Sequence, residues 1–192
     1  MPETAAPPGT TRREQILATA AELFATRGFH GVSVAELGTA CGISGPALYK
    51  HFPSKDAVLA EMLVSISERL LAVGTQRVGT APDARTAVVA LVDWHVDFAL
   101  HHQALIVVQD RDWSSLPDDA REQVRRLQRD YVDLWAGQLR RHDPDLGRDA
   151  ARASAHAAFG LINSTPHSGL LPDGAMHVLL VDMASRALRL VP

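Results

Sequence analysis

Residues Val32–Leu59 read VSVAELGTACGISGPALYKHFPSKDAVL, with a short helical pattern on either side of Gly42. Ser33 and Glu36 have the spacing of a capping box, which predicts that a helix begins directly after Ser33. Gly42 can adopt the positive φ of a tight turn, and Ser44 is placed to cap the next helix. Two short helices joined by such a turn, with a third helix before them, predict a helix-turn-helix.

Helices are also expected on both sides of this segment. Apolar residues recur at helical spacing over roughly Thr11–Arg27, and Gly28 is expected to end that first helix. Downstream, Ser54 is placed to cap a fourth helix that is expected to reach about Val73. The segment Gly74–Asp83, GTQRVGTAPD, is the clearest break in the rest of the chain.

The remainder of the chain also has helical periodicity, and no stretch shows sustained alternation of apolar and polar residues. The fold class is therefore expected to be all-α, with about nine helices. We expect a disordered N-terminal arm, a helix-turn-helix domain and a larger C-terminal domain for ligand binding and dimerisation, over residues 1–10, 11–56 and 57–192 respectively.

Composition restricts the possible functions. The 192 residues are 46% hydrophobic and carry a net charge of −3, so bulk charge gives no argument for nucleic acid or membrane binding. Cys41 is the single cysteine, which excludes an internal disulfide and a cysteine-rich zinc site. No apolar run approaches the about 18 residues that span a bilayer, and the N-terminus lacks a signal-peptide core, so a cytoplasmic protein without membrane contact is expected.

Several side chains of the helix-turn-helix suit contacts with double-stranded DNA. The N-terminal half of the helix that follows Ser44, the second helix of the motif, would meet base edges in the major groove. Ala47 offers a methyl group to thymine, and Lys50 and His51 can reach bases or phosphate. Phosphate contacts are expected from hydroxyls and cations that can position the duplex. These are Ser33, Ser44, Tyr49, Lys55, Arg12 and Arg13.

Lys50 and Lys55 are the only lysines of the chain, and both lie where a phosphate backbone would pass. Either lysine alone could be an ordinary solvated side chain. Residues 1–56 carry five Lys or Arg residues and five Asp or Glu residues, so any DNA contact must come from their local arrangement.

The segment from residue 13 to residue 59 resembles the N-terminal domain of the TetR/AcrR family of transcriptional regulators. The resemblance includes an ILxxAxxLF first helix, the linker RGFHGVSV, the turn GIS and the motif LYKHFPSK. The family often has a basic or polar residue after the capping serine, where this chain has Gly45 and Pro46. Lys50 and His51 are therefore expected to carry more of the base readout.

The resemblance implies DNA contacts at the positions already named and also at Gly45. It further implies a homodimeric regulator, commonly a repressor, that leaves its operator when a small molecule enters the C-terminal domain. The segment AHAAFGLINSTPHS, residues 155–168, resembles the C-terminal domains of some actinobacterial regulators of fatty-acid and related catabolism.

Aromatic and polar residues on three predicted helices could meet in a pocket. Apolar walls with a few polar groups are typical of small-molecule sites, although each such residue alone is more often part of a core. The ligand is expected to be mostly hydrophobic, with an acyl compound as the specific guess. The candidates are Trp94, His95, Phe98, Gln128, Tyr131, Trp135, Phe159 and Asn163.

One stripe of small apolar residues on the predicted eighth helix, about Arg148–Thr165, suits a close contact between helices. It predicts a dimer interface formed with the ninth helix, while packing within one chain is the alternative. The stripe consists of Ala151, Ala155, Ala158 and Ile162.

Other classes of function are less well supported by the sequence. No nucleophile and base, carboxylate pair or metal-binding spacing is visible, so neither an enzyme nor a cofactor is expected. The nine histidines have no helical His-x-x-x-His pair, so no metal is expected. A helical ligand carrier or adaptor without DNA binding is the alternative to a DNA-binding regulator.

Overall fold

The structure, a computed structural model, describes residues 11–190. In that range it has nine α-helices, two short 3-10 helices and no β-strand, which confirms the all-α prediction. The proposed arm, residues 1–10, lies outside the described residues. The α-helices are α1 (Arg12–Arg27), α2 (Val34–Ala40), α3 (Gly45–Leu48), α4 (Lys55–Thr80), α5 (Ala84–His101), α6 (Gln103–Asp112), α7 (Asp118–His142), α8 (Arg148–Ile162) and α9 (Asp173–Ala187).

Local signals account for the beginnings of the first four helices. Ser33 forms the predicted capping box, because its hydroxyl accepts from the Glu36 amide while the Glu36 carboxylate accepts from the Ser33 amide. Ser44 and Ser54 cap α3 and α4 in the same way, each accepting from the amide three residues later. Gly42 has φ +67°, as the turn requires.

Helix α3 is only four residues long. It ends at Leu48, and the amides of Lys50 and His51 donate three residues back, to Ala47 and Leu48, instead of four. Residues 49–51 form this tighter turn, close to the start of α4. We call α3 together with residues 49–51 the recognition element.

Gly38 in the middle of α2 allows α3 to approach closely. A Cβ atom on this residue would lie 3.0 Å from the Gly45 amide nitrogen and 3.0 Å from the Ile43 carbonyl oxygen. Leu37 and Leu48 are buried beside this contact, so glycine at position 38 sets the distance between the two helices of the motif.

Helix α4 continues through the predicted break and ends only at Thr80. Gly74 lies inside it, where a Cβ atom would be 2.8 Å from Tyr131 Cε2 and 3.1 Å from Leu91 Cδ2. This glycine therefore permits α4, α5 and α7 to pack closely instead of ending the helix. Tertiary packing overrides its low helix propensity.

The small-residue stripe on α8 faces the interior of its own chain. Ala151, Ala155, Ala158 and Ile162 are at most 1% exposed and belong to the core formed with α5, α7 and α9. The prediction that these four residues form the dimer interface is wrong, because atoms fully covered within one chain have no surface left for a partner.

The N-terminal core extends beyond the predicted boundary after residue 56. It includes the first half of α4 and also apolar side chains from later in the chain: Val108, Leu116, Ala120 and Val124. The second half of α4 belongs to the C-terminal core, so this one helix is part of both. Helix α6 packs directly on α1.

Two glycines of α4 provide a matched test of this packing. We expect Gly74→Ala to lower the free energy of unfolding by about 1–3 kcal/mol, because the new methyl group overpacks against Tyr131. A Cβ atom on Gly79 would have no other atom within 4 Å, so Gly79→Ala should raise the free energy of unfolding by up to about 1 kcal/mol. Urea unfolding measures both, and equal effects would contradict the close contact.

Candidate functional site

The predicted DNA-reading residues lie on the surface formed by α3 and the turn after it. Tyr49 is 54% exposed, Lys50 is exposed, and His51 and Ala47 are half-buried. Within the described part of the chain, no ion pair or hydrogen bond holds the Lys50 ammonium group. It is therefore available for a base or a phosphate.

Arg12 and Arg13 are engaged inside the protein. The Arg12 guanidinium donates to the Cys41 carbonyl at the end of α2. Arg13 pairs with Glu61 of α4, donates to the His51 carbonyl and lies 4.2 Å from the centre of the Phe52 ring. Both residues are exposed, but their present contacts join α1 to the helix-turn-helix and to α4.

Lys55 also has a structural role. Its Nζ donates to the Phe29 carbonyl at 2.8 Å and to the Val32 carbonyl at 2.7 Å, and lies 4.3 Å from the centre of the Phe29 ring. The side chain is half-buried. In this structure the ammonium group thus holds the linker between α1 and α2, and the phosphate contact stays a prediction.

Ser33, Ser44 and Gly45 lie on the surface that is predicted to contact DNA. Ser33 and Ser44 are exposed, although each hydroxyl already caps its own helix. Gly45 is half-buried in the first turn of α3, and a Cβ there would lie 3.7 Å from Ala35 Cα, an ordinary contact. These residues can bring a phosphate near backbone amides, which positions a duplex without reading its sequence.

A cavity of about 220 Å³ lies in the C-terminal domain, and six of the eight predicted ligand residues line it. His95 and Phe98 come from α5, Gln128 and Tyr131 from α7, and Phe159 and Asn163 from α8 and its end. The walls are mainly apolar, and the few polar atoms come from separate helices. This arrangement suits a largely hydrophobic small molecule.

His95 is the buried polar group at the centre of this cavity. Its Nε2 lies 3.1 Å from Asn163 Oδ1 and its Nδ1 lies 3.4 Å from the Tyr131 hydroxyl. Burial lowers the pKa of His95 to about 4, although the bond to Asn163 raises it. A neutral ring that donates from Nε2 to the amide oxygen and accepts from the tyrosine satisfies both contacts.

The rings of His95, Tyr131 and Phe159 lie nearly parallel to one another. His95 and Phe159 are 4.7 Å apart with an angle of 12° between their planes, and Tyr131 and Phe159 are 5.5 Å apart with an angle of 10°. Burial also raises the pKa of Tyr131, which therefore keeps its phenolic proton. The cavity presents flat apolar faces together with neutral hydrogen-bonding groups.

Trp94 and Trp135 do not line the cavity. Trp94 packs against α4, where its Nε1 donates to the Leu70 carbonyl at 3.4 Å. Trp135 is fully buried behind Phe159, with the two ring centres 5.0 Å apart. The prediction that these tryptophans contact the ligand directly is contradicted by their positions.

The sequence predicts none of the other wall residues, most of which come from α4 and α6. The apolar ones recur at helical spacing in the sequence, but this spacing is equally typical of core residues. They include Ile66, Ser67 and Leu70 of α4, Leu105, Ile106 and Gln109 of α6, and His156 of α8.

Helix α6 connects this cavity with α1. Its residues Leu105 and Gln109 line the cavity, and the next turn carries Arg111. The Arg111 guanidinium donates to the Phe24 carbonyl and, at 3.0 Å, to the Ala25 carbonyl. These carbonyls belong to the last turn of α1, where a cation is favourable. One short helix thus contacts both the pocket and the DNA-binding domain.

Residues 11–190 contain neither a helix suited to cross a membrane nor a cluster of side chains suited to hold a metal ion. No helix in this range is both long and apolar enough to cross a membrane. Nor does the same part of the chain contain a group of three or more His, Cys, Asp or Glu residues arranged to hold a metal ion.

Comparison with known proteins shows the family to which the chain belongs. Residues 16–62 match the family model described as bacterial regulatory proteins, tetR family, and residues 81–167 match the model described as tetracyclin repressor-like, C-terminal domain. The HTH-type transcriptional activator FasR of Mycolicibacterium smegmatis is 31% identical over 156 residues, which cover 81% of this chain and 69% of FasR. The chain belongs to the TetR family of transcriptional regulators.

A second relative is the HTH-type transcriptional repressor KstR2 of Rhodococcus jostii. It is 30% identical to this TetR-family chain over 129 residues, which cover 67% of the chain and 63% of KstR2. The match therefore spans less than two thirds of that relative. The family assignment favours a DNA-binding regulator over a carrier without DNA binding.

Solved structures share the fold over nearly the whole chain. A TetR-family regulator from Bordetella parapertussis has a TM-score of 0.80 and 26% identity, covering 90% of this chain and 93% of that one. AibR in complex with isovaleryl coenzyme A and operator DNA has a TM-score of 0.71, 20% identity and coverages of 90% and 97%. FadR of Bacillus subtilis in complex with stearoyl-CoA has a TM-score of 0.72 and 16% identity, covering 92% of this chain and 95% of that one.

The different positions of the two lysines lead to a prediction. We expect Lys55→Met to lower the free energy of unfolding by about 1–3 kcal/mol, because two half-buried hydrogen bonds to carbonyls are lost. Lys50→Met, at an exposed site, should change it by less than about 0.5 kcal/mol. Urea unfolding of both variants measures the contrast. A destabilisation by Lys50→Met as large as that by Lys55→Met would contradict it.

Proposed function

We propose that this regulator is a homodimeric repressor that binds a near-palindromic operator and leaves it when an acyl compound occupies the C-terminal cavity. The observation that carries the proposal is the sharing of two helices between the cavity and the DNA-binding domain. Helix α4 contributes Ile66, Ser67 and Leu70 to the cavity, while its first half completes the N-terminal core. Helix α6 lines the cavity and holds the end of α1 through Arg111.

A ligand can act through these helices only if it binds one conformation better than another. An acyl chain that enlarges the cavity would push on α4 and α6, and so would change the position of α1 and of the recognition element. A differential affinity of about 3 kcal/mol would weaken operator binding by about a hundredfold. That magnitude lies within the usual range of allosteric coupling.

The proposed ligand class rests on the walls of the cavity. Stacked aromatic rings, aliphatic side chains and neutral polar groups favour a mostly apolar molecule with one or two hydrogen-bonding atoms. Two proteins of the same fold, AibR and FadR, are described in complex with acyl coenzyme A compounds. Their low identity shows only the shared fold, so the acyl class is our proposal for this chain.

The proposed dimer interface uses the exposed sides of α8 and α9. On α9, Val178 is 69% exposed, Met183 is 44% exposed and Leu179 is 41% exposed. On α8, Ala153 and Ala157 are exposed on the side opposite the buried stripe. Because α8 and α9 pack together, these residues can form one apolar surface that a second copy would cover.

Operator binding tests the regulatory proposal. A gel shift with the DNA upstream of the chain's own gene should show binding by the free protein, and an acyl coenzyme A should weaken it by up to about a hundredfold. Ser67→Leu should fill part of the cavity, keep operator affinity and blunt the ligand response. Ser65→Leu, exposed on the same helix, is the control. Operator binding that no acyl compound changes would contradict the proposed effector class.

The oligomeric state tests the corrected interface. Val178→Arg should yield monomers, because an unpaired charge would be buried between the two copies. Ala72→Arg, at an exposed position on α4, should leave the dimer intact. Light scattering during gel filtration measures both masses. If Val178→Arg remains dimeric, the interface lies on another surface.

A further inference from the structure

A second, smaller cavity of about 180 Å³ adjoins the one that we assign to the acyl chain. The two cavities share the side chains of Gln128, Val132 and His156. The rest of the second cavity is formed by three arginines, of which Arg125 and Arg129 lie on α7 and Arg152 on α8. A mainly apolar cavity therefore lies next to a cationic one.

The arginines are only partly neutralised by neighbouring carboxylates. Arg129 pairs with Glu122 at 3.1 Å, with the two side chains 53% and 55% exposed. Arg152 pairs with Asp133. Among the described residues no ion pair engages Arg125, whose guanidinium carbon lies 5.7 Å from the centre of the Trp113 ring. The Arg129–Glu122 pair is exposed, and such pairs contribute little to stability, so a stronger anion can replace this carboxylate as a partner.

We infer that this arginine cavity binds the phosphorylated headgroup of an amphipathic effector whose acyl chain occupies the adjoining pocket. The inference rests on the proposed function and specifies the effector further. Guanidinium groups bind phosphate through paired, charge-assisted hydrogen bonds, whereas an uncharged headgroup would leave the three arginines unused. Gln128 and His156, on the shared wall, lie where the polar connection between chain and headgroup would pass.

The test compares acyl coenzyme A with the matching acyl pantetheine, which has the same thioester but no phosphate. Isovaleryl, octanoyl and stearoyl pairs cover short to long chains. Calorimetric titration of the wild-type protein should show tighter binding of the coenzyme A member of a pair by about tenfold or more at low salt. Added salt should reduce this preference, because it screens the arginine contacts.

Matched arginine variants assign the preference to this cavity. The triple variant Arg125→Gln, Arg129→Gln, Arg152→Gln should bind both members of a pair with the affinity that the wild type has for acyl pantetheine. The triple variant Arg140→Gln, Arg141→Gln, Arg148→Gln removes as many exposed charges from the same two helices and should keep the preference. Arg125→Gln alone, which breaks no ion pair, should lose part of it even if the triple variant fails to fold.

The outcomes separate this inference from the proposed function. A preference that survives in the arginine variants, or that the wild type lacks while it binds both members of a pair, overturns the inference and leaves the acyl proposal standing. A wild-type protein that binds no member of any pair contradicts the acyl part of the proposed function and the inference together.

Discussion

The DNA-binding helices depend on apolar side chains that the rest of the chain supplies. A segment of fewer than about 60 residues buries a smaller fraction of its surface than a larger domain does. Here its core is completed from α6 and from the start of α7 and the turn before it, by Val108, Leu116, Ala120 and Val124. The helix-turn-helix is therefore not an independent unit on a linker. Its position depends on the helices against which it packs, and any movement of α6 or α7 changes the support of α1.

Because the helix-turn-helix depends on these helices, a change at the cavity can alter its position. The cavity is lined by α4, α6 and α7, and each of these helices also contributes to the N-terminal core. Arg111 adds a polar contact to the same apolar joint, because it binds the last carbonyls of α1. A ligand that separates these helices must therefore disturb both kinds of contact. Since packed interfaces adopt discrete arrangements, a small displacement at the cavity can favour a different position of the recognition element.

Local signals in the sequence are sufficient for the helix-turn-helix, whereas features set by distant residues are not predictable from it. Ser33, Ser44 and Gly42 act on amides or dihedral angles within a few residues, and the structure has each in its predicted role. From the sequence alone, Gly74 predicts the end of a helix. Only its contact with Tyr131, which is distant in the sequence, shows why a glycine is needed inside α4. The small stripe on α8 has the expected periodicity, but periodicity does not say whether the same chain or a second copy covers it. Six pocket residues were predicted because polar and aromatic groups among apolar neighbours are informative, whereas Ile66 and Leu105 resemble any other core position.

The use of cations inside the N-terminal domain affects how it can bind DNA. Of the basic residues predicted to contact the duplex, Arg12, Arg13 and Lys55 already hold carbonyls or a carboxylate of the same chain. The ammonium group of Lys50, the fourth of these basic residues, has no hydrogen bond or ion pair within the described residues. A single recognition element therefore has few cations free for direct contact with phosphate, and such contacts dominate non-specific affinity. Stable operator binding then requires two elements held at the spacing of two half-sites. For this chain, the dimer surface that we propose on α8 and α9 would thus be as much a part of DNA recognition as the residues that we expect to touch the bases.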